Sequence, residues 1–298
     1  MSRDDSPLVS VLMTAYNREK YIGQAIESVL ASSYTNFELI IVDDGSRDDT
    51  VKIASVYAEK DPRIRIYVNE KNLGDYPNRN KAASYANGKY LKYLDSDDLI
   101  YPHGLAVFVK SMEMFPGAAI GLSSQSVQED NPYPVFFTSP DAYRTHFFKR
   151  GILDTGPTGV IIRTDIFRLM GGFSGKTMIG DFELWLKISA LHPVVLIAPG
   201  LIFWRIHEGQ QFFKGIEDGI YLNMKLGVIS NAFLSAACPL TKEESRIVMK
   251  HYKRLSAMGL LHLIKKGEYK KAKSIQADLK LKFSDFFSAL FFKKRFIL

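Results

Sequence analysis

The sequence predicts an α/β fold in which a mostly parallel β-sheet is flanked by helices and followed by a helical C-terminal extension. Three observations predict it. Short aliphatic runs alternate with segments of helical periodicity through the first half of the 298-residue chain. Several of these runs end directly in polar motifs. Beyond residue 240 the pattern becomes helical and strongly basic.

The first elements follow from hydrophobic periodicity. The run LVSVLMT at residues 8–14 is almost continuously apolar, which is typical of a strand buried on both faces. Residues 21–30 carry apolar side chains at helical spacing, which predicts an amphipathic helix. The same alternation predicts, in order, a strand at 37–42, a helix that begins after Asp48 or Asp49, a strand at 64–68, a helix at 77–86 and a strand at 90–94.

The remaining elements are predicted from shorter patterns. They are, in order, a helix at 99–115, a strand at 118–123, a loop-heavy connection at 125–150, a strand at 159–163 and helices at 165–170 and 181–191. Thr241 and Glu244 have the spacing of a capping box, which predicts that a helix begins there. This helix is expected to end near Gly267, and a last helix is predicted at 269–279.

The composition excludes a disordered chain, because 46% of the residues are hydrophobic and 24% are charged. The lone cysteine, Cys238, cannot form an internal disulfide, which fits a reducing compartment. No signal-peptide pattern follows the N-terminus, and the most apolar stretch, at 193–204, is about half as long as a membrane-spanning helix. We therefore expect a cytoplasmic protein, in peripheral contact at most with the inner face of a membrane.

The formal net charge of +7 is unevenly distributed. Residues 241–298 carry 15 basic and 5 acidic side chains, whereas residues 1–240 carry 24 basic and 27 acidic ones. A nucleic-acid-binding domain would spread basic side chains over the fold, so this asymmetry favours a partner of the tail alone. The final segment, FSDFFSALFFKKRFIL, fits an interfacial helix on an anionic membrane and equally a helix that packs its Phe side chains on the rest of the protein.

Three polar motifs follow predicted parallel strands: TAYN at 14–17, DDGS at 43–46 and DSDD at 95–98. The ligand crevice of an open α/β sheet lies at the carboxyl ends of its strands, so we expect the three motifs to converge. No GxGxxG or GxxxxGK pattern follows the first strand. This absence argues against a dinucleotide oxidoreductase and against a P-loop nucleotide hydrolase.

The DSDD motif places three carboxylates within four residues. Such a cluster repels itself unless a cation neutralises it, and Mg²⁺ and Mn²⁺ prefer carboxylate and phosphate oxygens. Alternatively, Asp97 and Asp98 cap a helix that begins at Leu99, a role for which Asp95 is too distant. The DDGS and TAYN motifs are compatible with nucleoside binding and also with ordinary turn and loop structure.

Together, the segments VSVLMTAYN, FELIIVDDGSRDDT, NLGDYPNRNKAA, GKYLKYLDSDD, GGF, GDFELWLK and RIHEGQQ resemble the nucleotide-sugar-dependent glycosyltransferases of family 2. The resemblance covers about residues 8–211 and implies the GT-A fold, a Rossmann-like, mixed and mostly parallel sheet flanked by helices. It further implies a catalytic domain at 1–215, divided near residue 124 into a nucleotide-binding half and an acceptor half. A basic helical region at 216–298 would follow.

The donor site implied by the resemblance combines several roles. It consists of the nucleoside contacts Thr14, Tyr16, Asp43 and Asp44, the diphosphate contact Arg79, the ribose contact Asp95 and the ligands Asp97 and Asp98 of Mn²⁺ or Mg²⁺. The alternative for Arg79 is an arginine on the surface of a helix. Arg205 and His207 match a segment that closes over the diphosphate in related transferases, where a histidine can also reach the metal.

The resemblance implies that Asp181 is the general base of an inverting single displacement. The alternative from the residues alone is an N-cap of the helix at 182–191. Many relatives carry Glu before this Asp, whereas this chain carries Gly180. Glu183 is the nearest alternative base, and Trp185 is expected either in the core or stacked on an acceptor sugar.

The implied activity is metal-dependent transfer of a sugar from a nucleoside diphosphate sugar, with a UDP-sugar as the leading candidate. The implied acceptor is a hydroxyl of a glycan or lipid-linked saccharide in cell-surface polysaccharide synthesis. Two other classes of function make distinct predictions. A non-catalytic nucleotide-binding module would tolerate the loss of Asp181. A protein that binds nucleic acid through its tail would lose affinity for DNA or RNA steeply as the salt concentration rises. We expect no nucleic acid partner.

Overall fold

The computed structural model describes residues 6–123, 132–207, 220–279 and 281–290. The chain divides into two compact units. The first unit comprises Met1–Thr138 and Ile152–Ile206, and the second comprises Ser139–Gly151 and His207–Leu298. The domain division at about residue 215, and the nucleotide-binding and acceptor halves within it, stay predictions.

The first unit is built on strands that alternate with helices. Its strands are β1 (Val9–Ala15), β2 (Phe37–Asp43), β3 (Ile64–Val68), β4 (Tyr90–Tyr93), β5 (Leu99–Ile100), β6 (Ile120–Ser123), β7 (Val135–Phe137), β8 (Val160–Arg163), β9 (Val194–Ile197) and β10 (Ile202–Phe203). Within the described residues, eight of them form one sheet in the order β3-β2-β1-β4-β8-β6-β9-β7, and β5 pairs with β10. Strands β1 to β4 are parallel, whereas β8 is antiparallel to both of its neighbours. The predicted mixed, mostly parallel sheet is therefore confirmed.

Helices lie between these strands along the chain. In chain order the helices through residue 191 are α1 (Ile22–Leu30), α2 (Thr50–Ala58), α3 (Asp75–Ser84), α4 (Gly104–Glu113), α5 (Ser139–Arg144), α6 (Thr164–Leu169) and α7 (Gly180–Leu191). A π-helical turn spans Thr145–Lys149, and a 3₁₀ turn spans Pro157–Gly159. Helix α1 buries the apolar side chains at its helical spacing, Ile22, Ala25, Ile26 and Val29, against the core.

The strand register places the polar motifs together. Thr14 of β1 pairs with Val42 of β2, and Leu12 of β1 pairs with Tyr93 of β4. Because the three strands are parallel, their carboxyl ends meet at one edge of the sheet. Gly88 permits this close pairing before β4, since a Cβ atom there would lie 2.6 Å from the backbone nitrogen of Ser10.

The helix predicted at 99–115 is wrong in its first part. Leu99 and Ile100 form β5 and pair with β10 instead, and α4 begins only at Gly104. Pro102 lies between them, and the residue before a proline is disfavoured in helical conformation. A Cβ atom at Gly104 would lie 2.7 Å from the carbonyl oxygen of Leu201, so glycine allows the close approach of the two segments.

The region predicted as loop-heavy, 125–150, contains more regular structure than expected. Its described part, from residue 132 onward, includes β7, α5 and the π-helical turn, so this prediction is wrong for those residues. Residues 124–131 lie outside the described ranges. Strand β9, which lies in the apolar stretch at 193–204, was not predicted; it pairs with β6 and β7 and is buried throughout.

In the part of the second unit that the structure describes, the regular elements are helices joined by turns. After α5, its helices are Ile220–Leu234, Lys242–Lys265, Tyr269–Leu279 and Phe283–Leu290. The predicted capping box is confirmed, because Thr241 accepts a bond from the Glu244 backbone and Glu244 accepts one from the Thr241 backbone. The chain turns at Gly267 with a φ of +81°, as predicted for the end of this helix. Within the described residues, no helix combines the length and apolar composition needed to cross a bilayer.

Candidate active site

The loops after β1 and β2 are joined by hydrogen bonds into one platform. The backbone N–H of Asn17 donates to Ser46 Oγ at 2.8 Å, and Asn17 Oδ1 accepts from the backbone N–H of Arg47 at 2.9 Å. Asn17 adopts a left-handed φ of +53°, which asparagine tolerates better than most residues. Tyr16 remains 43% exposed beside this junction, and Thr14 is half-buried. The platform therefore presents an aromatic ring to solvent at the end of the strands.

The two aspartates of the DDGS motif have different surroundings. Asp43 Oδ1 accepts the backbone N–H groups of Gly45 at 3.0 Å and Ser46 at 2.8 Å, so it shapes the turn. Asp44 accepts from the backbone N–H groups of Leu73 at 2.8 Å and Gly74 at 2.9 Å. A carboxylate has about four acceptor positions, and the Asn69 side chain takes a third at 2.7 Å. Asp44 thus anchors the segment that leads into α3.

The DSDD motif forms an acidic cluster. Asp95, Asp97 and Asp98 each have a carboxylate oxygen that lies within 4.8 Å of such an oxygen of the other two. Asp98 is 1% exposed, and its Oδ2 atom has no hydrogen-bond partner. Burial and the charge of Asp95 raise the pKa of Asp98 to about 7. A buried carboxylate oxygen without a partner, beside two further carboxylates, fits a hard divalent cation.

The capping alternative for this motif is wrong. Leu99 begins a strand, and α4 starts six positions after Asp98, beyond the reach of either side chain to its first turn. The backbone N–H of Asp98 instead donates to the carbonyl oxygen of Asp95 at 2.9 Å. This turn holds the three carboxylates on one side of the strand end.

Arginine side chains surround the acidic cluster. Arg18 Nε donates to Asp97 Oδ2 at 3.0 Å, although the sequence analysis did not identify Arg18. Arg79 Nη1 donates to Asp95 Oδ1 at 2.7 Å, and Arg79 Nε donates to Asp75 Oδ1 at 2.7 Å. Arg79 is buried, so the alternative of a surface arginine is wrong. The only sequence signal for Arg18 is its position directly after the TAYN motif.

A buried lysine lies beneath the cluster and was also missed. Lys92 of β4 is fully buried, and its ammonium group donates to the carbonyl oxygens of Tyr93, at 2.7 Å, and Thr158. Its nitrogen lies 4.7 Å from the centroid of the Phe108 ring. Burial lowers the pKa of Lys92 to about 7, although the charges of Asp95 and Asp98 oppose this effect. A lysine within an apolar strand is the signal that could have identified it.

The carboxylate of Asp181 lies in the first turn of α7. Its Oδ1 atom accepts from the backbone N–H of Phe182 at 2.7 Å, and the hydroxyl of Tyr76 faces the carboxyl and lowers its pKa. Among the described residues, no Lys or Arg forms an ion pair with it. Burial raises the pKa of Asp181 to about 6. A carboxylate with these properties is still largely ionised at neutral pH and can accept a proton.

The two other candidates in α7 have different surroundings. Glu183 accepts from Lys176 at 2.5 Å and from the Ser174 hydroxyl. Burial raises the pKa of Glu183, but these bonds more than offset it and hold the pKa below its ordinary value. Trp185 is fully buried, and its Nε1 donates to the carbonyl oxygen of Thr155 at 2.8 Å. Trp185 therefore belongs to the core, and its expected alternative role of stacking on an acceptor sugar is wrong.

The pairing of β5 with β10 brings Arg205 to the acidic cluster. The backbone N–H of Arg205 donates to Asp98 Oδ1 at 3.0 Å, and its Nε donates to the carbonyl oxygen of Asp97 at 2.9 Å. His207 lies in the second unit, so its role as a metal ligand stays a prediction. Residues 208–211, the rest of the RIHEGQQ segment, lie outside the described residues.

The predicted convergence of the three motifs is confirmed. The TAYN and DDGS loops share hydrogen bonds, Arg18 reaches Asp97, and Ser96 Oγ donates to the carbonyl oxygen of Thr14 at 2.8 Å. This edge of the sheet therefore combines an exposed aromatic ring, an acidic cluster and several cations. The roles assigned to the individual residues stay predictions.

Comparison with known proteins identifies related chains. The model of the family "Glycosyl transferase family 2" matches residues 10–170. An uncharacterized glycosyltransferase of Rickettsia felis is 30% identical over 275 residues, which is 89% of this chain and 42% of that protein. A putative teichuronic acid biosynthesis glycosyltransferase of Bacillus subtilis, TuaG, is 46% identical over 92 residues, which is 31% of this chain and 36% of that protein. This chain thus spans less than half the length of either relative.

Solved structures share the fold. TarS of Staphylococcus aureus, residues 1–349 in complex with UDP-GlcNAc, superposes with a TM-score of 0.60 at 19% identity, covering 95% of this chain and 79% of that one. The mannosyltransferase PcManGT of Pyrobaculum calidifontis, in complex with GDP-Man and Mn²⁺, gives a TM-score of 0.64 at 15% identity, covering 97% of this chain and 84% of that one. At these identities, the similarity establishes a common GT-A fold.

Proposed function

This chain belongs to glycosyl transferase family 2, and on that premise we propose that it transfers a sugar from a nucleoside diphosphate sugar to a hydroxyl of a saccharide acceptor, with inversion at the anomeric carbon. The observation that carries the proposal is that its carboxylates have two different kinds of surroundings. Asp95, Asp97 and Asp98 form a cluster of the kind that binds a cation, whereas Asp181 lies in the first turn of α7 and forms no ion pair with a described Lys or Arg. An inverting displacement needs one base, and a cation held by such a cluster would stabilise the departing diphosphate.

The donor nucleoside is proposed to bind at the platform after β1 and β2. Tyr16 offers an exposed ring for stacking on the base, while Thr14 and the remaining acceptor position of Asp44 offer polar contacts. Asp43 acts indirectly by shaping the turn. A UDP-sugar is the first donor to test, because TarS shares the fold and binds UDP-GlcNAc. GDP-sugars are the second donors to test, because PcManGT shares the fold and binds GDP-Man.

A divalent cation, Mn²⁺ or Mg²⁺, fits the acidic cluster. Asp97 and Asp98 would hold it, with Asp95 beside them. The partnerless Oδ2 atom of Asp98 and the Mn²⁺ in the PcManGT complex support this assignment. When bound, such an ion neutralises negative charge on the diphosphate as the sugar leaves.

The proposed chemistry is a single displacement. The acceptor hydroxyl oxygen forms a bond to the anomeric carbon, the bond from that carbon to the diphosphate oxygen breaks, and the hydroxyl proton passes to the Asp181 carboxylate. Arg18 and Arg79 keep positive charge beside the departing diphosphate, and Arg205 fixes the backbone of the acidic motif. Glu183 is disfavoured as the base because Lys176 stabilises its ionised form.

The acceptor is proposed to be a glycan or a lipid-linked saccharide in cell-surface polysaccharide synthesis. This class is supported by TuaG, a putative teichuronic acid biosynthesis glycosyltransferase. The helix Phe283–Leu290 exposes Phe283 by 86% and Phe287 by 58%, one turn apart, in a region with excess positive charge. We propose that this helix contacts an anionic membrane from the cytoplasmic side. The Lys-Lys-Arg cluster at 293–295 lies outside the described residues.

The function is tested by donor binding followed by turnover. Thermal unfolding is measured with UDP-, GDP- and dTDP-sugars, each with and without Mn²⁺, because a ligand that binds only the folded state raises Tm. We expect one donor class to stabilise the protein in a Mn²⁺-dependent way, and Asp97→Ala to abolish the dependence. Release of the nucleoside diphosphate is then followed with a panel of saccharide acceptors. If no donor stabilises the protein, or if stabilisation is unchanged in Asp97→Ala, the proposed donor site is wrong.

A further inference from the structure

Tyr76, in the first turn of α3, contacts the carboxylate that we assign as the base. Its side chain is buried, with 4% exposure, and its ring centroid lies 5.0 Å from that of Phe173. The Tyr76 hydroxyl faces Asp181, because it lowers the pKa of the Asp181 carboxyl and the negative charge of Asp181 raises the pKa of Tyr76. The ring of Tyr76 and its hydroxyl therefore both lie against the start of α7.

Gly180 leaves the space that the tyrosine ring occupies. A Cβ atom at Gly180 would lie 2.8 Å from Cε2, 2.9 Å from Cδ2 and 3.1 Å from Cζ of Tyr76. Real side chains essentially never approach this closely, so a side chain at residue 180 would force the ring to shift against Phe173. The glycine before the base and the tyrosine in α3 are therefore complementary.

We propose that Tyr76 is the positioning residue of the base: its hydroxyl fixes the Asp181 carboxylate in one orientation, and Gly180 admits its ring. This inference rests on the proposed function. It does not make Tyr76 a catalytic residue, since the tyrosine acts through Asp181. A carboxylate held by a rigid, buried donor keeps its acceptor lone pairs in one direction, which the transfer of a proton from a bound hydroxyl requires.

The location of Tyr76 also links the base to the acidic cluster. Helix α3 carries Tyr76 and, one turn later, Arg79, whose side chain bonds Asp75 and Asp95. The start of the same helix is fixed by the bond from the Gly74 N–H to Asp44. One short helix therefore carries contacts to the nucleoside end, the acidic cluster and the base.

Other charged groups near Asp181 lie on the same helix. The charge of Arg79 lowers the pKa of Asp181, and that of Asp75 raises it, so the two oppose one another. Burial raises the pKa most, while the hydrogen bonds of Phe182 N–H and Tyr76 lower it. Removing only the Tyr76 hydroxyl should consequently raise the pKa of Asp181 and leave the other contributions in place.

The test compares Tyr76→Phe with Tyr90→Phe. Tyr90 is also buried, and its hydroxyl donates to Glu113 at 2.5 Å, so this control loses a buried hydroxyl away from the site. Carboxyl ¹³C shifts of labelled aspartate are followed against pH, and Asp181→Asn identifies the Asp181 signal. We expect a higher Asp181 pKa in Tyr76→Phe, kcat lowered by about tenfold and an unchanged KM for the donor. Tyr90→Phe should alter none of the three.

A second pair of variants tests the same inference in case Tyr76→Phe does not fold. Gly180→Ala should displace the tyrosine ring and reproduce the pKa and kcat changes, whereas Gly117→Ala places its Cβ in open space and should change neither. The inference is overturned if folded Tyr76→Phe keeps the wild-type Asp181 pKa and kcat, or if folded Gly180→Ala does. Failure of the proposed function is distinct: the wild-type protein would then transfer no sugar, while the carboxyl titration would still report on Tyr76.

Discussion

The donor end and the base end of the first unit use the same residue type in opposite ways. At the donor end, Asp95 and Asp97 are each paired with an arginine, and Asp98 has an oxygen without a partner. At the base end, Asp181 has hydrogen bonds but no described ion pair, and its pKa is raised. The donor-end carboxylates thus lie beside arginines and beside one another, where a cation can neutralise them, whereas Asp181 has no described ion pair and can accept a proton.

The largest expected effect is at the base end. Asp181→Asn removes the proton acceptor while keeping shape and hydrogen-bonding capacity, so kcat should fall by about 10³-fold with donor affinity unchanged. Nucleoside diphosphate release under saturating donor measures the loss, and calorimetry measures the affinity. Glu183→Gln is the matched change two residues along the same helix and should keep most of the activity. Equal losses in both variants would contradict the distinction between these carboxylates.

At the donor end, Asp98→Asn should weaken the binding of Mn²⁺ by more than about tenfold, because losing a charged ligand of the ion should cost more than losing a group that only orients a ligand. Mn²⁺ binding is measured directly by electron paramagnetic resonance in the absence of donor. The carboxyl titration of Asp181 should be unchanged in this variant. Wild-type Mn²⁺ affinity in folded Asp98→Asn would remove this residue from the cation site.

The pH dependence of kcat/KM distinguishes the two ends. Because the pKa of Asp181 is raised to about 6, activity should be maximal above that pH, where the carboxylate is ionised, and should fall about tenfold per pH unit well below it. An acid limb caused by the acidic cluster would move to lower pH as Mn²⁺ is increased, since protons and the cation compete for the same oxygens. A limb caused by Asp181 should stay in place. A limb that shifts with Mn²⁺ contradicts the assignment to Asp181.

The smallest expected effect is at the pairing of Arg18 with Asp97. Arg18→Ala should weaken donor binding about threefold to tenfold, because a partly exposed ion pair contributes about 1 kcal/mol. Arg63→Ala is the control, since Arg63 pairs with Asp61 at 2.7 Å and contacts none of the three motifs. Binding is measured by titration with the donor class that stabilises the wild type. Equal effects of the two variants would argue against a role of Arg18 at the donor end.

Much of the first unit could be predicted because its signals are local. The continuous apolar runs of β1 and β2 identify strands buried on both faces, and polar motifs directly after them identify the ligand edge of the sheet. The capping box at Thr241 is equally local, since both of its partners lie within one turn. The predicted helix start at Leu99 failed because the competing interaction, pairing with Phe203, comes from a distant part of the chain.

The sequence by itself determined the α/β class, the edge of the sheet at which the motifs meet, and the carboxylates available for the reaction. The tertiary structure alone decided which of these carboxylates pair with an arginine and which do not. Arg18 meets Asp97 across 79 positions, and Tyr76 meets Asp181 across a longer span. Periodicity and capping depend on neighbours a few residues apart, whereas the pKa of a side chain depends on burial and on charges brought near it by folding.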